Sequence, residues 1–277
     1  DKKNRLELAN LKKKEVRSVT KEMVASVIHL KTKIPVYEIM DNDQVMLKNM
    51  EQQLNDVVFG QESTIHDLCN ITKRMKVGFQ EEKRPHSFLL VGPTGVGKTM
   101  LVKEYAKLLF GKDNFIRLDM SEYKESHSVS KIIGSPPGYV GYSDYKNVLE
   151  EVREKPHSVI LLDEIEKAHP SVLHLFLQVL DDGMLKDSKG NVVRFDHTII
   201  FMTSNLGYQR NNVGFCEHKE QNVLSQLKEY FSMEFLNRLN QVLLFQPMKE
   251  DVVKKIIKEK LQLVKQRFRN KEITLSF

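Results

Sequence analysis

Gly92, Pro93, Thr94, Gly95, Val96, Gly97, Lys98 and Thr99 carry the spacing GxxxxGK[ST]. Their chemistry is phosphate binding. Glycines let the backbone turn its N–H groups inward around anionic oxygens, and a helix start adds partial positive charge there. Lys98 suits the β- and γ-phosphates of a nucleotide, and Thr99 suits a hydroxyl ligand to Mg²⁺. The pattern is informative only between a strand and a helix. Here it follows the apolar run Ser87-Phe88-Leu89-Leu90-Val91 and opens the helical stretch Met100-Leu101-Val102. A glycine-rich turn with an incidental lysine is the competing reading, and that context disfavours it.

A second pattern, Val159-Ile160-Leu161-Leu162-Asp163-Glu164, sets two acids after four strand residues. Both carboxylates then sit at the carboxyl edge of a sheet, where open α/β folds bind ligands. Asp163 suits an outer ligand of the Mg²⁺ that Thr99 holds, and Glu164 suits the base that polarises an attacking water. The competing reading is a helix-capping acid pair. Ser204 and Asn205 end the apolar run Ile199-Ile200-Phe201-Met202-Thr203. An amide at that edge can orient water or touch a γ-phosphate. Arg238, in Phe235-Leu236-Asn237-Arg238-Leu239-Asn240, fits a surface residue as readily by pattern alone.

The elements that must position these groups alternate in type. Strands are expected at Ser87–Val91, Phe115–Leu118, Ser158–Leu162, His197–Thr203 and Val242–Phe245, with a helix over Lys98–Phe110 stopped by Gly111. Strands this apolar, separated by helices, indicate a parallel sheet buried on both faces, hence a three-layer α/β class. Residues 1–55 read as a helical linker region, with a cap at Thr20 and a break at Lys33-Ile34-Pro35-Val36. Residues 56–247 read as the large α/β domain, with a helix over Glu62–Val77. Residues 248–277 read as the start of a smaller C-terminal domain, led by an amphipathic helix over Asp251–Arg269.

The 277-residue chain has Lys and Arg in slight excess, net +6, with a pI near 9.0. The two signs are interleaved, so the balance describes a mixed solvated surface rather than a nucleic-acid footprint. Cys69 and Cys216 lie far apart with no CxxC partner, which argues against a disulfide framework and a zinc site. No apolar run approaches the roughly 18 residues of a membrane span. The expectation is a soluble protein of the cytoplasm or an organelle lumen, with no nucleic-acid partner and no membrane insertion.

Together, "GPTGVGKT", "RLDMSEY", "HSVSKIIGSPPGYVGY", "VILLDEIEKAHPSV", "LQVLDDGML", "FMTSNLG" and "EFLNRL" resemble the second AAA+ ATPase domain of the Clp ring unfoldases, ClpB and ClpC types. "KIPV" and "VVFGQ" extend the resemblance over nearly the whole chain. It implies a P-loop NTPase that hydrolyses ATP to ADP with Mg²⁺. Val58 and Phe59 would line the adenine pocket. Lys98 and Thr99 would be Walker A, Asp163 and Glu164 Walker B, and Asn205 the first sensor. Arg238 matches the arginine finger that completes a neighbouring subunit's site, which implies a homo-hexameric ring. Gly138, Tyr139, Val140 and Gly141 resemble the pore loop that grips unfolded or aggregated polypeptides. An aromatic between glycines can press on any extended chain, whatever its sequence; the competing reading is a tyrosine tucked into its own domain.

Departures from the family pattern carry their own expectations. Ser143-Asp144-Tyr145-Lys146 replaces the usual acidic pair and glycines after the pore loop, and Asn240 and Gln241 replace acids after Arg238. The sequence ends before the family's "GAR" motif, so this piece is expected to bind nucleotide and hydrolyse it poorly. Another ATPase domain is expected upstream. Asn212-Val213-Gly214-Phe215 resembles the element by which ClpC-type rings dock on a ClpP-like peptidase; an ordinary glycine turn is the alternative. The leading expectation is an ATP-driven unfoldase or disaggregase, set against a peptidase-feeding unfoldase, a nucleic-acid-handling motor and a non-hydrolysing scaffold.

Overall fold

The computed structural model describes residues 19–32, 43–76, 84–134, 147–208 and 219–269. The chain divides into two compact units, Asp1–Gln44 and Val45–Phe277. The first contains α1 (Lys21–Thr32), whose start is capped by Thr20: its hydroxyl accepts the Met23 N–H at 3.4 Å. Val24 and Val27 on this helix are exposed.

The helix α2 (Asp43–Asn55) leads into the second unit, followed by α3 (Glu62–Lys76). Then come β1 (His86–Val91), α4 (Lys98–Phe110), β2 (Phe115–Asp119), α5 (Val129–Ile133), α6 (Val148–Glu154) and β3 (Val159–Asp163). The chain continues through α7 (Pro170–Asp182), a hairpin of β4 (Met184–Lys186) and β5 (Val192–Arg194), and β6 (Ile199–Ser204). It closes with α8 (Lys219–Tyr230), α9 (Met233–Asn237), β7 (Gln241–Leu244) and α10 (Glu250–Arg269).

The main sheet is five-stranded, in the order β2-β3-β6-β1-β7, and every adjacent pair is parallel. Alternation along the strands sends side chains to opposite faces. One face presents Leu89, Ile116, Ile160, Ile200 and Met202 to Val172 and Phe176 of α7 and to Phe235 of α9. On the other, Phe88 stacks on Phe201 with ring centroids 5.0 Å apart, and Tyr105 of α4 meets Phe201 edge-on at 5.2 Å. Tyr105 is fully buried, so its hydroxyl needs a partner, and it lies 2.9 Å from the Thr72 hydroxyl of α3. Three layers result, as the strand pattern requires.

Strand limits move by a residue or two from the sequence expectation. The notable shift is at Asp163, which is the last residue of β3, in register with Asp119 of β2, rather than the first residue after it. The β4–β5 hairpin has no counterpart in the sequence reading because three-residue strands leave almost no periodicity to detect. Its turn is organised by Asp187, whose carboxylate accepts the N–H groups of Lys189 and Asn191 at 2.9 and 2.8 Å. Among the described residues no helix is long and apolar enough to cross a membrane. Cys69 is buried and unbridged; Cys216 lies outside the described residues.

Candidate functional site

The loop between β1 and α4 bends where its glycines are. Gly95 and Gly97 take φ of +81° and +99°, a region that L side chains rarely adopt. At Gly92 the reason is space: a Cβ there would lie 2.6 Å from Cβ of Phe245, because the loop passes directly over the end of β7. Facing the loop is a cavity of 480 Å³ lined by Thr94, Lys98, Thr99, Asp163, Glu164 and Asn205 among others. A Cβ at Gly95 would meet nothing within 4 Å, so the cradle is open there.

Lys98 folds back on the loop, donating to the carbonyls of Gly92 and Pro93 at 2.6 and 2.7 Å. Burial pulls its pKa down, opposed by the charges of Glu166, Asp163 and Glu164. Thr99 Oγ1 lies 3.3 Å from both carboxylate oxygens of Asp163. Asp163 is buried and richly bonded: Thr203 donates at 2.5 Å, and Arg117 donates through Nη2 at 2.7 Å and Nε at 3.1 Å. Glu164 has φ of +57°, the only positive value at a non-glycine among the described residues. A left-handed backbone is costly for a side chain with a Cβ and is found where the surrounding structure enforces it. The Glu164 N–H donates to Thr203 Oγ1 at 2.9 Å, and its carboxylate pairs with Lys167, whose pKa is raised chiefly by that bond.

Among the described residues no group of three or more His, Cys, Asp or Glu side chains gathers as a metal site. A hydroxyl and a carboxylate 3.3 Å apart instead form a hard-oxygen donor pair, which suits a Mg²⁺ completed by phosphate oxygens and water. The residues present fit that ion.

Val58 and Phe59 line a second cavity of 410 Å³ that also takes in Val57, Val96, Met248 and Ile257. Its remaining wall includes Val253 and Ile256 of α10. Arg238 does not line the phosphate-side cavity; it pairs with Asp181 at the end of α7. Asn240, where the family usually has an acid, serves the sheet instead: its Oδ1 accepts the Ser87 N–H at 2.7 Å. Gly138, Tyr139, Val140 and Gly141, and the stretch Asn212–Phe215, lie outside the described residues.

Sequence reasoning missed Arg117, Asp119, Thr203 and Lys167, although the first three line the cavity and Lys167 holds Glu164. Arg117 is exposed on the edge strand β2, a position where an arginine is ordinary, so nothing in the sequence marks it as a partner of Asp163.

Residues 83–242 match the family described as AAA domain (Cdc48 subfamily). The chain belongs to this AAA family. Among relatives of known name, it is 44% identical over 264 residues to a chaperone protein ClpB of Clostridium perfringens, covering 93% of this chain and 30% of that protein. It is 45% identical over 248 residues to the ATP-dependent Clp protease ATP-binding subunit ClpE of Bacillus subtilis, covering 87% and 36%. The chain thus spans about a third of the length of these relatives. Among solved structures, a closed-state reconstruction of Hsp104 with ATPγS and FITC casein superposes with a TM-score of 0.77 at 34% identity. That match covers 89% of this chain and 43% of the other. The P-loop AAA architecture expected from the motifs is therefore the observed one.

Proposed function

We propose that this AAA chain hydrolyses ATP and uses the energy to remodel polypeptides, as an unfoldase or disaggregase working in a homo-hexameric ring. The observation that carries this reading is the convergence of Lys98, Thr99, Asp163, Glu164 and Asn205 on one cavity under an open glycine loop. On this reading the loop N–H groups and Lys98 bind phosphate oxygens, which requires Lys98 to leave the carbonyls of Gly92 and Pro93. Thr99 and Asp163 would hold Mg²⁺, which would supply neutralisation of phosphate charge. Glu164, once released from Lys167, accepts a proton from the attacking water while Asn205 orients it. Arg238 turns from Asp181 toward a neighbouring subunit's nucleotide, and Val58 and Phe59 hold the adenine.

Remodelling is supported by the names of the relatives and by the casein in the Hsp104 structure. Residues 56–247 are the large ATPase domain in this reading, residues 1–55 a linker, and α10 begins the smaller domain. Tyr139, with Gly138, Val140 and Gly141, grips the polypeptide. A second reading, delivery to a ClpP-like peptidase, is favoured by the name of the ClpE relative. The test is unfolding of a stable reporter protein by the full-length protein with ATP. The reporter is expected to lose its signal with wild type and keep it with Glu164→Gln. ATP turnover with an untouched reporter would contradict the remodelling role.

A further inference from the structure

Glu166 takes no part in the chemistry assigned above, yet its surroundings are unusual. It lies in the single turn of 3-10 helix, Ile165–Lys167, that follows β3. One oxygen, Oε1, accepts the backbone N–H of Asn205 at 3.3 Å. The other, Oε2, is buried with no hydrogen-bond partner among the described residues. A buried carboxylate oxygen without a donor is costly, and such groups concentrate where function needs them. Behind it, the backbone carbonyl of Glu166 accepts the Tyr230 hydroxyl at the end of α8.

The residues after β6 are held from the other side as well. The Gly92 N–H donates to the Ser204 carbonyl at 3.1 Å, so the phosphate loop and the strand end move together. The Leu206 N–H donates to Ser204 Oγ at 3.2 Å and tightens the turn. Asn205 is therefore placed by two anchors: the first glycine of the loop, through Ser204, and the Glu166 carboxylate, through its own N–H.

We propose that Glu166 is a positioning residue for hydrolysis: its carboxylate fixes the backbone of Asn205 so that the amide meets the reacting water and phosphate, and Tyr230 braces Glu166 from α8. This rests on the ATP-hydrolysis reading. Glu166 itself touches no reacting atom. Its contribution appears in the rate of the bound complex rather than in nucleotide affinity, because the loop, Lys98 and the apolar cavity are left intact. Gln at this position retains an acceptor for the Asn205 N–H, whereas Ala does not.

The experiment measures steady-state ATP turnover and equilibrium binding of fluorescent ADP in the full-length protein carrying Glu166→Ala, Glu166→Gln or Tyr230→Phe, with Glu164→Gln as control. Glu166→Ala is expected to lower kcat about tenfold or more, the scale of a small misplacement of a reacting group, with KM for ATP and ADP affinity held within about threefold. Glu166→Gln restores most of the rate, and Tyr230→Phe lowers kcat in the same sense by less. An unchanged kcat in Glu166→Ala overturns the proposal. So does a parallel loss of ADP affinity, which marks a general structural role, or a Gln variant as slow as the Ala variant. Should Glu166→Ala fail to fold, Tyr230→Phe decides, and an unchanged kcat there overturns it equally. If the wild-type protein shows no ATP turnover, it is the hydrolysis reading that falls; if Glu164→Gln leaves turnover intact, it is the assignment of Glu164 as the base.

Discussion

Two cavities meet at the same glycine loop, sharing Gly95, Gly97 and Met100, and they are made of opposite materials. The 480 Å³ cavity brings Lys98 and Arg117 against Asp119, Asp163 and Glu164. The 410 Å³ cavity is walled mainly by Val57, Val58, Phe59, Met248, Ile256 and Ile257, with Asp56, Glu259 and Lys260 also on its lining. Their supports differ too. Asp163 and Asn205 stand at the ends of β3 and β6, strands buried along their whole length, while Arg117 and Asp119 stand on the edge strand β2, where Arg117 is exposed. The apolar wall leans on α10, where Val253 and Ile257 are 38% and 52% exposed, so a planar apolar ligand would complete that wall. On the proposed reading, the contrast gives transformation of the phosphates to the polar cavity and retention of the base to the apolar one.

The largest expected effect comes from outside both cavities. If the polar cavity is completed from a neighbouring subunit, Arg238→Ala lowers turnover about 10³-fold or more while nucleotide affinity holds. Mixing it with subunits that carry Arg238 but lack Glu164 function should restore part of the rate, read by a phosphate-release assay. Next is Lys98→Ala, which removes the loop's own cation from the polar cavity; turnover should fall about 10²- to 10³-fold, as for loss of one preorganised donor, and triphosphate binding should weaken with it. Ile257→Ala acts on the other cavity. It should weaken fluorescent ADP about tenfold, the scale of lost apolar contact in a pocket, and leave kcat nearly unchanged.

The smallest effect probes the helix layer behind both cavities. Burial in α3 pushes the Cys69 thiol up from 9.0 to about 12, with Glu51 adding to the rise and Lys73 opposing it. Burial raises the Tyr105 hydroxyl as well. Above the ordinary thiol value the unfolded chain then binds fewer protons than the folded one, so stability falls as pH rises. The urea midpoint should drop as pH rises through 9.0 toward about 12, and Cys69→Ala should flatten that slope.

Much of the polar cavity was legible because each of its main groups sits in a motif with a fixed place on a strand edge. Lys98 and Thr99 follow β1, Asp163 and Glu164 close β3, and Asn205 follows β6, so parallel order alone brings them together. Val58 and Phe59 were placed by resemblance, since nothing in their spacing says that α10 lies opposite. Arg117 and Thr203 were not found because their role depends on register: only the pairing of β2 with β3 and the length of β6 bring both to Asp163. Lys167 escaped notice because it pairs with Glu164 across the single 3-10 turn Ile165–Lys167, an element too short to leave a periodicity.

The division of labour between the cavities is tested most directly by measuring nucleotide affinity and turnover side by side in Glu164→Gln and Ile257→Ala. The account predicts that Glu164→Gln keeps ADP affinity and loses turnover by about 10²- to 10⁴-fold, the range for removal of a general base, while Ile257→Ala does the reverse. Equal losses of affinity and turnover in both variants would contradict it.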